Sequence, residues 1–318
     1  MPKSDKIPSN VTAGLDSVGI RMPIHKVAND FLTRCACPVA APSANLSGSP
    51  SPTKASHVYS DMNKYIYAII DGGDSDYGLE STVVDATGEY PVILRPGAIT
   101  KAQIEEVCGI DSASKFEASS TETPKAPGMK YRHYAPGAEV RIINLPEDTE
   151  ILGDTYTLKD SSDEDKESEL SEEDELENEK IRQAMFDIAK PYILTCKEIL
   201  STNPTARIGL FCGAEVKELF DALNDSILSS HVHFFIYGFA NDVDKASHYL
   251  FDGLRTLDIQ GVDVILAAGF MGEGMSQAYM NRLNKASVKS GEVTSSMKIN
   301  SARGETIHNF ESMVTTSV

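Results

Sequence analysis

After Gly137 the sequence alternates between short apolar runs and longer segments with helical periodicity. The apolar runs predict four strands, at 140–145, 206–212, 231–239 and 262–269. Between the last two runs, apolar residues recur every three or four positions from Val243 to Leu257, which predicts a helix. Strands that alternate with helices at this spacing pair in parallel through crossover connections. The second half of the chain is therefore predicted to be a doubly wound α/β domain.

The first half is organised around residues 38–53, PVAAPSANLSGSPSPT. An apolar run there gives way to Pro, Ser, Gly and Asn, so we predict a strand end followed by a rigid loop. Ser51 and Pro52 suit the N-cap and the first position of a helix. Free N–H groups at such a helix start favour a bound anion, although a well-capped turn without a ligand is the alternative.

The rest of the first half contains further short elements. Apolar runs predict strands at 17–23, 65–70, 81–85 and 92–95. Helices are predicted at 24–35, from Pro52 onward, and at 100–107, where Thr100 and Gln103 form a capping box. These are few strands for a closed sheet, so we expect an element or two upstream of Met1.

Charge and cysteine content restrict the class of protein. The net charge is −18, and twelve acidic and two basic residues between Asp160 and Lys180 account for much of it. Such an acidic run predicts a disordered insertion at about 160–177. The five cysteines show no metal-ligand spacing, and no apolar run approaches the 18 residues of a membrane span. We therefore expect an intracellular, cytoplasmic protein with reduced thiols and no membrane partner.

Polar residues with matching chemistry lie near predicted strand ends and turns. They form four groups: Ser17 with Arg21; Ser43, Asn45 and Ser51; Glu80 to Thr82; and Arg95. Hydroxyl, amide and guanidinium groups favour a bound phosphate or carboxylate. The sequence has no HExxH motif, no Walker P-loop and no Ser-His-Asp set. Phosphoryl or nucleotidyl transfer, which needs positioning, charge and usually Mg²⁺, is consistent with such residues.

Five ordered motifs resemble one known family: PSANLSGSPSPT, DGG, GLESTVVD, LRPGAIT and APGMKYRHYAP. They are similar to the threonylcarbamoyl-AMP synthases, in particular the long archaeal and fungal form. The resemblance runs from about Ser17 to Ser287. It implies an incomplete YrdC-like twisted-sheet α/β domain at 1–118, of which only the second half is present, and a linker at 119–138. A Rossmann-like parallel-sheet domain at 139–290 and a disordered tail at 291–318 follow.

The resemblance implies a nucleotidyltransferase that joins L-threonine, bicarbonate and ATP, with Mg²⁺, into threonylcarbamoyl-adenylate. A partner threonylcarbamoyl transferase complex then modifies adenosine 37 of tRNA, and tRNA or double-stranded RNA is a further expected partner. The implied ATP contacts are Ser17, Ser43, Ser51, Arg95, and Tyr131 or Tyr134 from the linker. The implied threonine contacts are Arg21, the backbone of Ala41, and Ser81. Ser43 and Asn45 are the implied catalytic pair, and no residue is assigned to a metal.

The chain departs from the family pattern at one motif. The family pairs its Ser-x-Asn motif with a Lys-x-Arg motif, and no segment corresponds to the latter, because Lys3 and Lys6 lie in a polar leader. We therefore interpret the chain as N-terminally truncated and expect it to be a poor enzyme. The alternative is a nucleotide- or double-stranded-RNA-binding remnant without catalysis. A carbamoyltransferase of hydrogenase maturation is disfavoured, because such proteins carry zinc-finger cysteine pairs.

Overall fold

The computed structural model describes residues 1–109, 134–145 and 172–287. We refer to residues 1–109 as the N-terminal region and to residues 134–287 as the C-terminal domain. The N-terminal region contains α1 (Lys26–Cys35), α2 (Ala55–Met62), β1 (Val83–Asp85), β2 (Val92–Arg95) and α3 (Lys101–Cys108). Strands β1 and β2 form an antiparallel pair.

In the N-terminal region, the predicted helices agree with the structure better than the predicted strands do. The capping box of Thr100 and Gln103 is present, and Gly109 ends α3 in the left-handed conformation, as predicted. The predicted strands at 17–23 and 65–70 are wrong, since the first contributes one isolated bridge, at Ser17, and the second has no strand pairing. A strand needs a neighbour for its backbone hydrogen bonds, and apolar side chains in both segments are exposed.

The predicted helix start at Ser51 and Pro52 is displaced by three residues. Helix α2 begins at Ala55, and its N-cap is Lys54, whose side chain makes no capping hydrogen bond. Ser51 does not cap the helix, because its hydroxyl donates to the carboxylate of Glu80 instead. The loop therefore uses its polar side chains for contacts distant in sequence.

The C-terminal domain is a four-stranded sheet with helices on both faces. Its elements are β3 (Glu139–Asn144), α4 (Glu172–Thr202), β4 (Ile208–Cys212), α5 (Ala214–Leu223), α6 (Ser226–His231), β5 (Val232–Ile236), α7 (Val243–Ile259), β6 (Val264–Gly269) and α8 (Met275–Ser287). The strand order is β3-β6-β4-β5, and every neighbouring pair is parallel. The prediction of a doubly wound domain is confirmed.

Two hydrophobic clusters fill the C-terminal domain, one on each face of the sheet. The first packs α4, α5 and α6 against the sheet, and the second packs α7 and α8 against the other face. The central strands β4 and β6 are buried at every position, which explains why their sequences are continuous apolar runs. Both faces are therefore covered by helices.

Several predicted boundaries fall partly or wholly outside the described residues. The linker up to residue 133, the acidic insertion from 160 to 171 and the tail at 291–318 lie there. Helix α4 begins at Glu172, so residues 172–177 are helical rather than part of the predicted insertion. Glutamate is a good helix former, and acidic residues favour the positive end of a helix, which accounts for this start.

Candidate functional site

Three of the candidate site residues converge where the N-terminal region meets α8. Ser51 donates a hydrogen bond from its hydroxyl to Glu80 Oε1 at 2.5 Å. Arg95 donates from Nη2 to the carbonyl oxygen of Ser81 at 2.9 Å. On the opposite side, Arg282 Nε of α8 donates to Glu80 Oε2 at 3.0 Å. We call these five residues the Glu80 cluster.

The local fold explains why Ser81 and Arg95 lie together. Ser81 comes just before β1 and Arg95 ends β2, so the antiparallel pairing brings them side by side. Gly97 then passes close to the start of β1: a Cβ atom there would lie 2.7 Å from the carbonyl oxygen of Glu80. Only glycine permits this close approach of two backbones.

The Glu80 cluster carries more positive than negative charge. Burial acts to raise the pKa of Glu80, but Arg282, the Ser51 hydroxyl and Arg95 together hold it below its usual value. Lys285, one turn after Arg282 on α8, has a pKa lowered by burial and then by Arg282 and Arg95. Arg95 is buried, and its Nε has no hydrogen-bond partner among the described residues. The one carboxylate of the cluster is thus accompanied by two guanidinium groups, with Lys285 close enough on α8 to feel their charge, an arrangement that favours an added anion.

Tyr134 reaches this cluster from the end of the linker. It is buried with a left-handed backbone (φ 67°), and its ring centroid lies 5.1 Å from that of Phe251 in α7. Burial raises the pKa of its hydroxyl and Glu80 adds to the rise, whereas Arg95, to which it hydrogen-bonds, opposes it. The next amide, of Ala135, donates to the carbonyl of Gly48 at 3.0 Å. The linker end is therefore fixed against the 38–53 loop.

The remaining candidate residues lie outside the Glu80 cluster. Asn45 donates from Nδ2 to the carbonyls of Leu46 and Ser49 at 2.9 and 3.2 Å, and its Oδ1 has no partner among the described residues. Those that lie on exposed or half-exposed parts of the N-terminal region are Ser17, Arg21, Ala41 and Ser43. Tyr131 lies outside the described residues. The structure thus brings together Ser51, Ser81, Arg95 and Tyr134.

A second polar group joins α2 to α7 beside the site. Asp252 accepts from Lys54 Nζ at 2.8 Å and faces His57 Nε2 at 3.2 Å. The amide of Thr53 donates to His57 Nδ1 at 3.2 Å, so the imidazole proton is on Nε2, facing Asp252. Asp252 of α7 is therefore the partner that the buried His57 requires.

Arg255, one turn further along α7, makes a third connection between the two parts. It donates to Asp61 Oδ2 at 2.7 Å and from Nε to the carbonyl of Pro50 at 3.1 Å. Sequence reasoning grouped Glu80 with its neighbours but gave no role to Asp252, Arg255 or Arg282. One signal was available in the sequence: a charged residue on the apolar face of a helix. Such a residue becomes buried, and a buried charge needs a partner.

The described ranges contain no group of three or more His, Cys, Asp or Glu side chains placed to hold a metal ion. In the same ranges, no helix is both long and apolar enough to cross a membrane. All five cysteines are free thiols, and burial raises the pKa of Cys196 to about 12. A thiol with such a pKa is not a nucleophile at neutral pH.

Two family models match successive parts of the chain. The model described as "Threonylcarbamoyl-AMP synthase, C-terminal domain" matches residues 99–288, and the one described as "Telomere recombination" matches residues 1–97. The two matches meet between β2 and α3, so the C-terminal model includes α3 of the N-terminal region.

Curated relatives carry the name threonylcarbamoyl-AMP synthase. The Pyrococcus abyssi protein is 37% identical over 288 residues, covering 90% of this chain and 68% of that one. The Bacillus subtilis protein is 35% identical over 285 residues, covering 89% and 67%. The Schizosaccharomyces pombe protein is 34% identical over 282 residues, covering 87% and 58%. The chain thus spans about two thirds of its two bacterial and archaeal relatives, and less of the fungal one.

The fold is similar to a solved structure of the same archaeal protein. The crystal structure of P. abyssi Sua5 complexed with L-threonine matches with a TM-score of 0.62 at 35% identity, covering 90% of this chain and 68% of that one. A variant of that protein matches with a TM-score of 0.61 at 33% identity. At such identity, both the fold and the order of its two parts are shared.

Proposed function

This chain belongs to the threonylcarbamoyl-AMP synthases, which are nucleotidyltransferases of tRNA modification, and from this membership we propose that it condenses L-threonine, bicarbonate and ATP. The product would be threonylcarbamoyl-adenylate, with pyrophosphate released. The observation that carries the proposal is the excess of positive charge around Glu80, where Ser51, Ser81 and Arg95 meet. The L-threonine complex of the P. abyssi relative supports the amino-acid substrate.

The reaction places few covalent demands on the protein. The threonine amine adds to the carbon of bicarbonate, water is lost, and a carbamate forms. A carbamate oxygen then attacks the α-phosphorus of ATP, and the bond from that phosphorus to the bridging oxygen of the β-phosphate breaks. Pyrophosphate leaves with the bonding electron pair. Catalysis by positioning and by stabilisation of the developing charge fits this chemistry.

We assign the positive groups to the phosphates. Arg95, with the hydroxyls of Ser43 and Ser51, would contact ATP, and Lys285 would add charge from α8. Tyr134 would cover the nucleotide from the linker, with Tyr131 as the alternative or second ring. Asn45 would act with Ser43 at the reacting end, and Ser17 would contact ATP from the open side.

The threonine would lie on the same side of the N-terminal region. Arg21 can form a two-pronged contact with its carboxylate, because a guanidinium matches carboxylate geometry. Ser81 and the backbone of Ala41 would hold its remaining polar groups. The exposure of Arg21 and Ala41 leaves both free to meet a ligand.

Mg²⁺ would accompany ATP rather than occupy a protein cage. Glu80 uses one carboxylate oxygen for Ser51 and the other for Arg282, so the cluster offers no free carboxylate as a metal ligand. We therefore assign no protein ligand to the ion. Magnesium commonly binds through substrate phosphates and water, where it neutralises phosphate charge.

The cellular setting follows as a further proposal. The adenylate would be consumed by a threonylcarbamoyl transferase complex acting on tRNA in the cytoplasm. Binding of tRNA or double-stranded RNA by this chain itself is the remaining expectation from the family.

The test is threonine-dependent release of pyrophosphate from ATP, with bicarbonate and Mg²⁺ present. Release should require all three substrates, and mass spectrometry should show the adenylate. Dependence of the release on threonine is the diagnostic result. Arg95→Gln should abolish the signal, whereas Lys217→Gln, in α5 and outside the Glu80 cluster, should not. Binding of ATP without threonine-dependent release would favour the non-catalytic alternative.

A further inference from the structure

Arg282 is a fully buried charge in the last helix of the C-terminal domain. Its exposed fraction is 0%, and burial acts to lower its pKa. An unpaired guanidinium in such a position is strongly destabilising, so a folded protein keeps it only with matched partners. The identity of those partners indicates what the residue does.

Most of these partners belong to the N-terminal region. Arg282 Nε donates to Glu80 Oε2 at 3.0 Å, and Nη2 donates to the backbone carbonyl of Glu80 at 2.9 Å. Nη1 donates to the carbonyl of Pro96 and, within its own helix, to that of Ala278 at 3.3 Å. Four of the five N–H groups are thereby used, so the side chain has little capacity left to contact a substrate.

The acceptors lie directly beside residues of the proposed site. Glu80 precedes Ser81, and Pro96 follows Arg95. The second carboxylate oxygen of Glu80 accepts from Ser51. One guanidinium therefore fixes three chain segments that the proposed reaction needs in a defined geometry, and a planar fork is well suited to that task.

We propose that Arg282 is a positioning residue of the synthase site, through which the C-terminal domain sets the geometry of the ATP contacts. It holds Glu80 and Pro96, and through them it orients the ATP contacts Ser51 and Arg95, together with Ser81, which is assigned to threonine. This proposal rests on the proposed function. It also gives the C-terminal domain a defined part in the reaction, since the N-terminal region has no hydrophobic cluster of its own, among the described residues, to hold these segments.

The chain offers a matched control at the same boundary. Asp252 in α7 also makes buried contacts with the N-terminal region, but its partners Lys54 and His57 are not site residues. Asp252→Asn weakens the junction without touching the Glu80 cluster. A loss of ATP affinity in both the Arg282 and the Asp252 variants would reflect a weakened junction. A loss of ATP affinity in the Arg282 variants alone would reflect a disturbed site.

The experiment measures ATP affinity by calorimetry in the full chain, together with KM and kcat for pyrophosphate release. Arg282→Gln should weaken ATP binding at least tenfold, and Asp252→Asn less than twofold. Arg282→Lys should fall between the wild type and Arg282→Gln, because an ammonium keeps the charge but cannot bridge Glu80 and Pro96 together. The KM for ATP should rise more than the KM for threonine.

The double variant Glu80→Gln/Arg282→Gln tests whether Arg282 acts through Glu80. It replaces the buried ion pair by two neutral side chains, so that neither charge is left without a partner. If Arg282 acts through Glu80, the double variant should bind ATP no more weakly than Arg282→Gln alone. Equal losses in Arg282→Gln and Asp252→Asn, or an unchanged ATP affinity in Arg282→Gln, would overturn the inference and leave the proposed function standing. If Arg282→Gln does not fold, the same comparison is made with Arg282→Lys. A wild type that does not bind ATP would remove the proposed function and this inference with it.

Discussion

Among the described residues, the buried hydrophobic side chains lie in the C-terminal domain, whereas the side chains buried in the N-terminal region are mainly polar. Both hydrophobic clusters lie in the C-terminal domain, around a four-stranded parallel sheet. In the N-terminal region the buried polar residues are Thr12, Ser51, Thr53, His57 and Arg95, and its sheet has two strands. All of these except Thr12 belong to the polar groups at the junction with α7 and α8. The C-terminal domain is therefore held by its own core, whereas the N-terminal region is held largely by its neighbour.

The surface of the N-terminal region agrees with this difference. Large apolar side chains of α1 and the segments around it are exposed, including Ile20, Met22, Ile24 and Phe31. None of the α1 residues is buried, although the helix forms as the sequence predicts. Local pattern can thus specify a helix without supplying the packing that stabilises it.

The largest expected effect separates the two parts by their cores. Leu250→Ala in α7, where the side chain is fully buried, should lower the free energy of unfolding by about 3–5 kcal/mol through lost transfer energy and a cavity. Phe31→Ala in α1, where 46% of the side chain is exposed, should cost less than about 1 kcal/mol. Urea denaturation followed by circular dichroism measures both, and similar losses of stability in the two variants would contradict the difference between the two parts.

A smaller effect is expected at the junction. Arg255→Ala leaves the Asp61 carboxylate without its partner and should weaken the docking of the N-terminal region by about 2–3 kcal/mol, since both side chains are about 10% exposed. Hydrogen exchange should quicken in α2 and the 38–53 loop while protection of β4 and β6 is unchanged. Lys217→Ala, which removes an exposed pair within α5, is the control. Equal deprotection of both parts would show that they unfold together.

Tyr134, at the end of the linker, belongs to both parts. It lies in the hydrophobic cluster of α7 and α8 and also contacts the Glu80 cluster. Tyr134→Ala should weaken adenylate binding by about 1–2 kcal/mol through lost stacking and water exclusion. Tyr134→Phe keeps the packing against Phe251, so it should lose less affinity for the adenylate than Tyr134→Ala does. Unchanged affinity by calorimetry in Tyr134→Ala would assign this residue to the core alone, and Tyr131→Ala would then test the other ring.

The smallest effect is expected within the C-terminal part of the chain. Deleting residues 160–171, which the sequence predicts to be a solvated charge run, should change the Tm by less than about 2 °C, because such a segment buries little surface. A deletion of equal length that includes the start of α4 should lower the Tm more, and it serves as the comparison. A loss of several degrees on the first deletion would mean that the acidic run supports the core.

Features that depend on neighbours in sequence could be predicted. The parallel sheet followed from the alternation of apolar runs and helical segments, and α3 followed from Thr100, Gln103 and Gly109. Family membership followed from five short motifs, which the comparisons confirm. The strands predicted at 17–23 and 65–70 failed, since an apolar run specifies a strand only when a partner strand accepts its hydrogen bonds.

The α/β class, the doubly wound second half and the candidate residues of the site could all be predicted from the sequence. The tertiary structure decided which of those residues meet. Glu80 and Arg282 are 202 positions apart, and no periodicity or spacing connects them. Ser51, which the sequence predicts to be a helix cap, is in the fold a partner of Glu80, 29 positions away. The physical reason is that helices and turns are set by contacts within a few residues, whereas a buried charge is satisfied only by whatever the completed fold places beside it.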